Sequence, residues 1–247
     1  MKGFDPIKSW GADDAAKYAT HLRGDEAAAS EFLAQYADGG AALEFAIGTG
    51  RIGIPLKEKG IHVEGLEGSP QMVAQLHAHP VGKNIPAKVG DMSTVAMGRQ
   101  YKVVYLVYNT IFNLLTADDQ IRCFENAARH LTPDGYFIVE TALPHAWIAA
   151  GKSEYVKAEH VGATEVQFDV ARYDPVTQLF EENHVRITEH GVQMNPIVCR
   201  LITPGEMDLM ARIAGLRLVE RFANWQRSPF DSNSTMHVSV YGFESAS

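Results

Sequence analysis

The chain has 247 residues, 46% of them hydrophobic, and a formal net charge of -8. That length suffices for one α/β unit with an insertion and a large buried core. The acidic balance, with no local cluster of Lys and Arg, argues against a protein held to nucleic acid by phosphate contacts. Cys123 and Cys199 lie far apart in apolar-periodic segments, which points to buried small hydrophobes rather than a disulfide framework or a zinc site. The opening Met-Lys-Gly-Phe-Asp is no apolar signal region, and no run is long enough to span a membrane, so a cytoplasmic protein is expected.

Residues 12 to 37 read as an alanine-rich helix with Phe32, Leu33 and Tyr36 as its apolar stripe, stopped at Asp38-Gly39-Gly40. A first strand is expected near Ala41–Ala46, then a glycine turn and a helix carrying Ile52 and Leu56 that stops at Gly60. A second strand runs from Ile61 to Glu67, and Ser69-Pro70 starts the next helix, with Ser as cap and Pro at its first position. A third strand near Ile85–Val89 leads into Gly90-Asp91-Met92, and a fourth, Val103–Tyr108, leads into Asn109-Thr110-Ile111-Phe112-Asn113. Thr116 caps a helix carrying Ile121, Phe124 and Leu131, and Pro133-Asp134-Gly135 turns into a fifth strand, Tyr136–Glu140. Continuous apolar strands alternating with helices indicate a parallel sheet covered on both faces.

Beyond residue 150 the period changes to two. Val166, Phe168 and Val170 alternate with Glu165, Gln167 and Asp169, and turns follow at Asp174-Pro175 and Glu189-His190-Gly191. Pro196 marks the last of these strands as an edge. This predicts an antiparallel sheet, residues 151–201, inserted after strand five. The α/β pattern resumes with the capping box Thr203-Pro204-Gly205-Glu206, a helix with Met207 and Met210 on its inner face, and a strand pair, Leu216–Phe222 and His237–Tyr241.

The most informative stretch is Ala42-Leu43-Glu44-Phe45-Ala46-Ile47-Gly48-Thr49-Gly50, with Glu67 at the end of the second strand. Glycines there allow a tight turn and close approach of backbone to a ligand, and an acid at the end of strand two can accept from both ribose hydroxyls. These residues resemble motif I of the class I S-adenosylmethionine-dependent methyltransferases, with Glu44 as its acid, Gly48 and Gly50 as its later glycines, and Ala46 in place of the first. The resemblance extends over most of the chain. It implies an α/β, Rossmann-like seven-stranded mixed sheet formed by residues 1–150 and 202–247, with the insertion as acceptor cover or dimer contact. It further implies S-adenosyl-L-methionine as cofactor, released as S-adenosyl-L-homocysteine, and no metal. On this resemblance Ala46, Gly48, Thr49 and Gly50 line the methionine portion, Glu67 and Gly68 meet the ribose, and Asp91 and Met92 hold the adenine. Tyr108 and Asn109 pass under the methionine end, and Tyr18 closes over the cofactor. The literal spacing Gly48-x-Gly50-x-x-Gly53 also fits an NAD(P)-dependent oxidoreductase, against which stand Glu44, Asp91 and the lack of a second nucleotide half. A protein that binds the cofactor without turnover is a third reading.

The layout is similar to bacterial enzymes that methylate amino-sugars and peptide natural products, which implies a small-molecule N or O acceptor. Phe112, Asn113, His145, Trp225 and Arg227 are the candidate acceptor residues, with Asn113 and His145 the candidates for orientation and general base. His77 and His79, two apart on a helix, point to different faces and make a poor metal pair. No membrane or nucleic-acid partner is expected; a homodimer through the inserted sheet would cover its edge strands.

Overall fold

A computed structural model describes residues 1, 3–5, 22–148 and 152–244. The main sheet has seven strands in the order β10-β11-β5-β4-β1-β2-β3. β1 (Ala42–Phe45), β2 (Val63–Glu67), β3 (Ala87–Val89), β4 (Tyr101–Leu106) and β5 (Leu131–Ala142) run parallel. β11 (Met236–Phe243) lies antiparallel between β5 and β10 (Leu216–Phe222). β1 is buried at every position, as a central strand with both faces covered must be.

Helices α1 (Glu26–Ala37), α2 (Gly53–Glu58) and α3 (Pro70–Ala78) supply Phe32, Leu33, Leu56 and Leu76 to one face of the sheet. On the other face α4 (Ala117–His130) and α6 (Pro204–Ile213) supply Phe124, Met207 and Met210. Phe124 meets Phe137 of β5 edge-on at 5.1 Å between centroids, a geometry that aromatic quadrupoles favour. The capping expectations hold in detail. Ser69, Thr116 and Thr203 each accept from a first-turn amide, and Thr203 with Glu206 closes the full capping box.

The second sheet is antiparallel, in the order β6 (Glu154–Val161), β7 (Glu165–Asp174), β8 (Leu179–Thr188) and β9 (Gly191–Arg200). It enters after β5 by the short helix α5 (Pro144–Trp147). One face, with Tyr155, Ala171, Tyr173, Phe180, Ile197 and Cys199, joins the main core. Trp147 bridges the two layers, with its ring 5.7 Å from Phe112 and 5.7 Å from Phe180.

Three sequence expectations need revision. The helix read over 12 to 37 begins only at Glu26 as α1: residues 22–25 are not helical, and residues 12–21 lie outside the described residues. Strand five is longer than Tyr136–Glu140: Leu131 leaves α4 in an extended conformation and pairs with Tyr101, and the register slips before Val103 pairs with Tyr136. Pro133-Asp134-Gly135 is therefore a bulge within β5 rather than a turn before it. β6 went unread because it is an exposed edge strand carrying Glu154, Lys157, Glu159 and His160 without apolar alternation.

Candidate functional site

A cleft of about 290 Å³ opens where the parallel strands end, lined by Ala46, Gly48, Glu67, Asp91, Thr110 and Asn113 among others. Ala46 and Gly48, in the loop after β1, form its floor. Ala46, Gly48 and Gly50 all have positive φ, +53°, +57° and +85°. For Ala46 that conformation costs about 1–2 kcal/mol, so the loop holds an alanine where glycine would sit without strain. A Cβ on Gly50 would come within 2.4 Å of Leu76, so α3 packs against bare backbone there. Ile47 turns away from the cleft into the core, over Gly65, whose added Cβ would lie 2.5 Å from Ile47 Cγ2.

Glu67 ends β2 with its carboxylate buried. Oε2 accepts from the Gly48 amide at 2.8 Å and Oε1 accepts from the Ser69 amide at 2.8 Å. Burial raises its pKa, opposed by the amides of Ser69, Gly48 and Gly68. A carboxylate has about four acceptor directions, so with the amides of Gly48, Ser69 and Gly68 on it, capacity for a further donor remains. Asp91 follows β3 and accepts from the Ser93 amide at 2.7 Å. The loop beyond it is fastened from behind by α4. Asn126 donates to the carbonyls of Met92 and Val95 at 2.9 and 3.0 Å, and His130 Nε2 accepts from the Met97 amide at 2.8 Å. His130 Nδ1 faces the Asn126 carbonyl at 2.7 Å, which fixes the neutral tautomer, and burial lowers its pKa.

After β4 the chain turns through two consecutive left-handed residues, Tyr108 and Asn109, with φ of +58° and +63°. Glu140 of β5, buried, accepts from the Tyr108 amide at 2.8 Å, and Asn109 Oδ1 accepts from the Ala142 amide. Arg23 reaches Glu140 at 3.1 Å and lies over the Tyr108 ring at 4.2 Å. Arg51, just past the glycine loop, lies over the same ring at 5.2 Å and pairs with Asp25 and Glu26.

The cleft thus joins a bare-backbone loop, a buried acid with spare acceptor capacity one strand over, and a second acid beyond it. These acceptors and the bare backbone suit an adenine, a ribose and a polar tail laid across β3, β2 and β1. Residues 42–135 match a methyltransferase domain family. The solved CcbJ methyltransferase from Streptomyces caelestis is 32% identical, with 98% of this chain and 99% of that one covered and a TM-score of 0.88. The chain belongs to the S-adenosylmethionine-dependent methyltransferases. The fold is shared more distantly with SAM-bound CalS10, an amino pentose methyltransferase from Micromonospora echinaspora (22% identity, 93% and 96% covered, TM-score 0.66). It is also shared with the glycopeptide N-methyltransferase MtfA complexed with SAM (21%, 89% and 94%, TM-score 0.61). No curated protein sequence matches.

The cofactor of this methyltransferase is S-adenosylmethionine, and the nicotinamide alternative falls. The third glycine of that fingerprint, Gly53, serves packing: its Cβ would meet Glu44 Oε2 at 2.9 Å and Ile47 Cδ1 at 3.0 Å. Glu44 does not line the cleft. It is buried beneath the loop, accepts from the Tyr105 hydroxyl at 2.9 Å, and burial pushes its pKa up to about 8. Thr49 and Gly50 shape the loop without lining the cleft, whereas Gly68 and Met92 line it.

Of the candidate acceptor residues, Asn113 lines the cleft and touches Cys199 of β9. Phe112 does not reach the cleft, because its side chain is fully buried against Trp147. Trp225 and Arg227 are not brought there either. Trp225 packs on Phe32 at 5.4 Å, and the Arg227 guanidinium lies over Phe32 at 4.6 Å and donates to Gln35. They fasten the β10–β11 connection to α1. His145 is exposed on α5, outside the cleft lining, and Tyr18 lies outside the described residues. Sequence reading missed Arg23, Arg51, Asn126, His130 and Glu140, and only the i, i+4 spacing of Asn126 and His130 hinted at a shared helix face. No group of three metal-ligating side chains lies at the cleft among the described residues; the one such group, Asp169, Glu182 and His184, is on the inserted sheet.

Proposed function

We propose that this small-molecule methyltransferase acts on an amine nitrogen of a natural-product-like acceptor, such as an amino-sugar or a peptide. The observation that carries this reading is the acceptor wall. Thr110, Asn113, Leu114 and Leu115 bring hydroxyl, amide and apolar surface to the cleft, and Asp5 and Asp119 lie on the same lining, Asp119 with its carboxylate paired to Arg122. Such a wall offers an amide and a hydroxyl to orient a neutral amine, with apolar surface to seat the rest of the acceptor. The distant likeness to amino pentose and glycopeptide methyltransferases supports the same class.

In this reading Glu67 accepts from the ribose hydroxyls, Asp91 and the Met92 backbone meet the adenine, and Ala46 and Gly48 admit the methionine portion. S-adenosylmethionine, when bound, supplies an electrophilic methyl on a sulfonium. The protein's part is to hold an acceptor nitrogen in line and exclude water, and orientation of this kind is worth roughly 7–11 kcal/mol in favourable systems. An amine bound neutral needs no strong base, which agrees with the exposed position of His145; a hydroxyl acceptor would call on it. Residues 151–201 act as a cover for the acceptor. Their outer face, where Val156, Val170, Val192 and Met194 are exposed, supports a homodimer through this sheet.

The test is transfer of isotopically labelled methyl from S-adenosylmethionine to a panel of amino-sugars, amino-acid amides and matched hydroxyl analogues. Labelled N-methyl product from the amines alone supports the reading. Product from the hydroxyl analogues alone, lost in His145→Ala, overturns it in favour of base-assisted O-methylation.

A further inference from the structure

We propose that Glu140 is a positioning residue for the amino-acid end of the cofactor, acting through Arg23 and Tyr108. The inference rests on the reading that the cleft takes the adenosine over Glu67 and Asp91. With the sheet order β5-β4-β1-β2-β3, ribose at the end of β2 and adenine at the end of β3 direct the rest of the molecule across β1 toward β4 and β5. Tyr108 and Glu140 stand at that end of the sheet.

Glu140 is 2% exposed, yet it ties together three separate pieces of chain. Its Oε2 accepts from the Tyr108 amide at 2.8 Å and so holds a corner with two left-handed non-glycine residues, a conformation that persists only where the surroundings enforce it. Its Oε1 pairs with Arg23 at 3.1 Å, which sets the Arg23 guanidinium over the Tyr108 ring. The second cation over that ring is Arg51, fixed by Asp25 and Glu26. Two cations and three carboxylates are thereby held beside the glycine loop, a pattern of both signs that complements a zwitterionic α-amino acid group. Without the Glu140 carboxylate, Arg23 loses its buried partner and the Tyr108 amide loses its acceptor.

The experiment is calorimetric titration of the full chain with S-adenosylhomocysteine and with 5′-methylthioadenosine, which keeps the nucleoside but lacks the amino-acid end. In Glu140→Ala, S-adenosylhomocysteine binding should weaken about tenfold or more, while methylthioadenosine binding stays within about twofold. Arg23→Met should reproduce that split, and combining it with Glu140→Ala should add little further loss, because the two act on one contact. Glu140→Gln, which keeps an acceptor for the Tyr108 amide but no charge for Arg23, should fall between. Should Glu140→Ala fail to fold, Arg23→Met and Glu140→Gln must show the same split. Equal loss for both ligands would make Glu140 merely structural and overturn the proposal, as would unchanged S-adenosylhomocysteine affinity. Failure of the unmodified chain to bind methylthioadenosine would overturn the cleft assignment itself, and the proposal with it.

Discussion

The Glu67 carboxylate and the Gly48 amide meet at 2.8 Å across the gap between β2 and the glycine loop. One oxygen braces the loop while the other braces the start of α3 through Ser69. The residue proposed to meet the ribose is thus also the peg that fixes the floor of the cleft.

Glu67→Ala removes both functions. A charge-assisted hydrogen bond from the ribose is worth about 1.5–3 kcal/mol, and the loop loses its brace as well, so affinity for S-adenosylhomocysteine should fall on the order of tenfold to a hundredfold or more. Glu67→Gln keeps an acceptor and should lose less. Calorimetry decides it, and near-normal binding by Glu67→Ala would remove the ribose assignment.

Ala46 holds φ at +53° where a glycine would be at ease. Ala46→Gly should relieve the left-handed strain and cost only the smaller entropy of a freer unfolded chain. The expected net effect is about 0.5–1 kcal/mol of added stability. Urea unfolding monitored by circular dichroism measures it. A destabilised variant would show that the Ala46 methyl packs usefully over the loop.

The strand positions and the cleft acids were legible because each rests on a local signal. Runs such as Val103–Leu106 are apolar at every position when a strand is covered on both sides, and Gly48, Glu67 and Asp91 sit where strands end. Trp225 and Arg227 misled, since an aromatic beside a cation looks the same in sequence whether it faces a ligand or packs on α1. The Arg23–Tyr108–Glu140 contact was invisible for a different reason. Its members come from three distant segments, and only the assembled sheet brings Glu140 beside the end of β4.

Glu44 gives a pH dependence with a definite sign. Its pKa is raised from 4.5 to about 8 in the folded chain, chiefly by burial. Between those values the folded state holds a proton that the unfolded chain has released, so stability should decline as pH rises through that window. Glu44→Gln, neutral at every pH, should flatten the profile and gain up to a few kcal/mol (~3) relative to the unmodified chain above pH 8. Melting temperatures from pH 5 to about 9 would show it. Parallel profiles for the two proteins would mean that Glu44 is ionised in the fold, compensated by Arg51.

Asn126 should control the adenine side without touching ligand. It is fully buried and its amide donates to the carbonyls of Met92 and Val95. Asn126→Leu preserves bulk but leaves two buried carbonyls without a donor, a cost of about 1–3 kcal/mol in stability. The loop behind Asp91 would then be free to shift, and S-adenosylhomocysteine affinity should fall about three- to tenfold through the nucleoside, so methylthioadenosine should lose as much. That equal loss is the opposite of the split expected at Glu140, and the pair of titrations therefore reads the two ends of the cleft separately. If Asn126→Leu lowered stability yet left both affinities unchanged, α4 would be a support for the core alone, and the Asp91 loop would be held by its own Asx turn to Ser93.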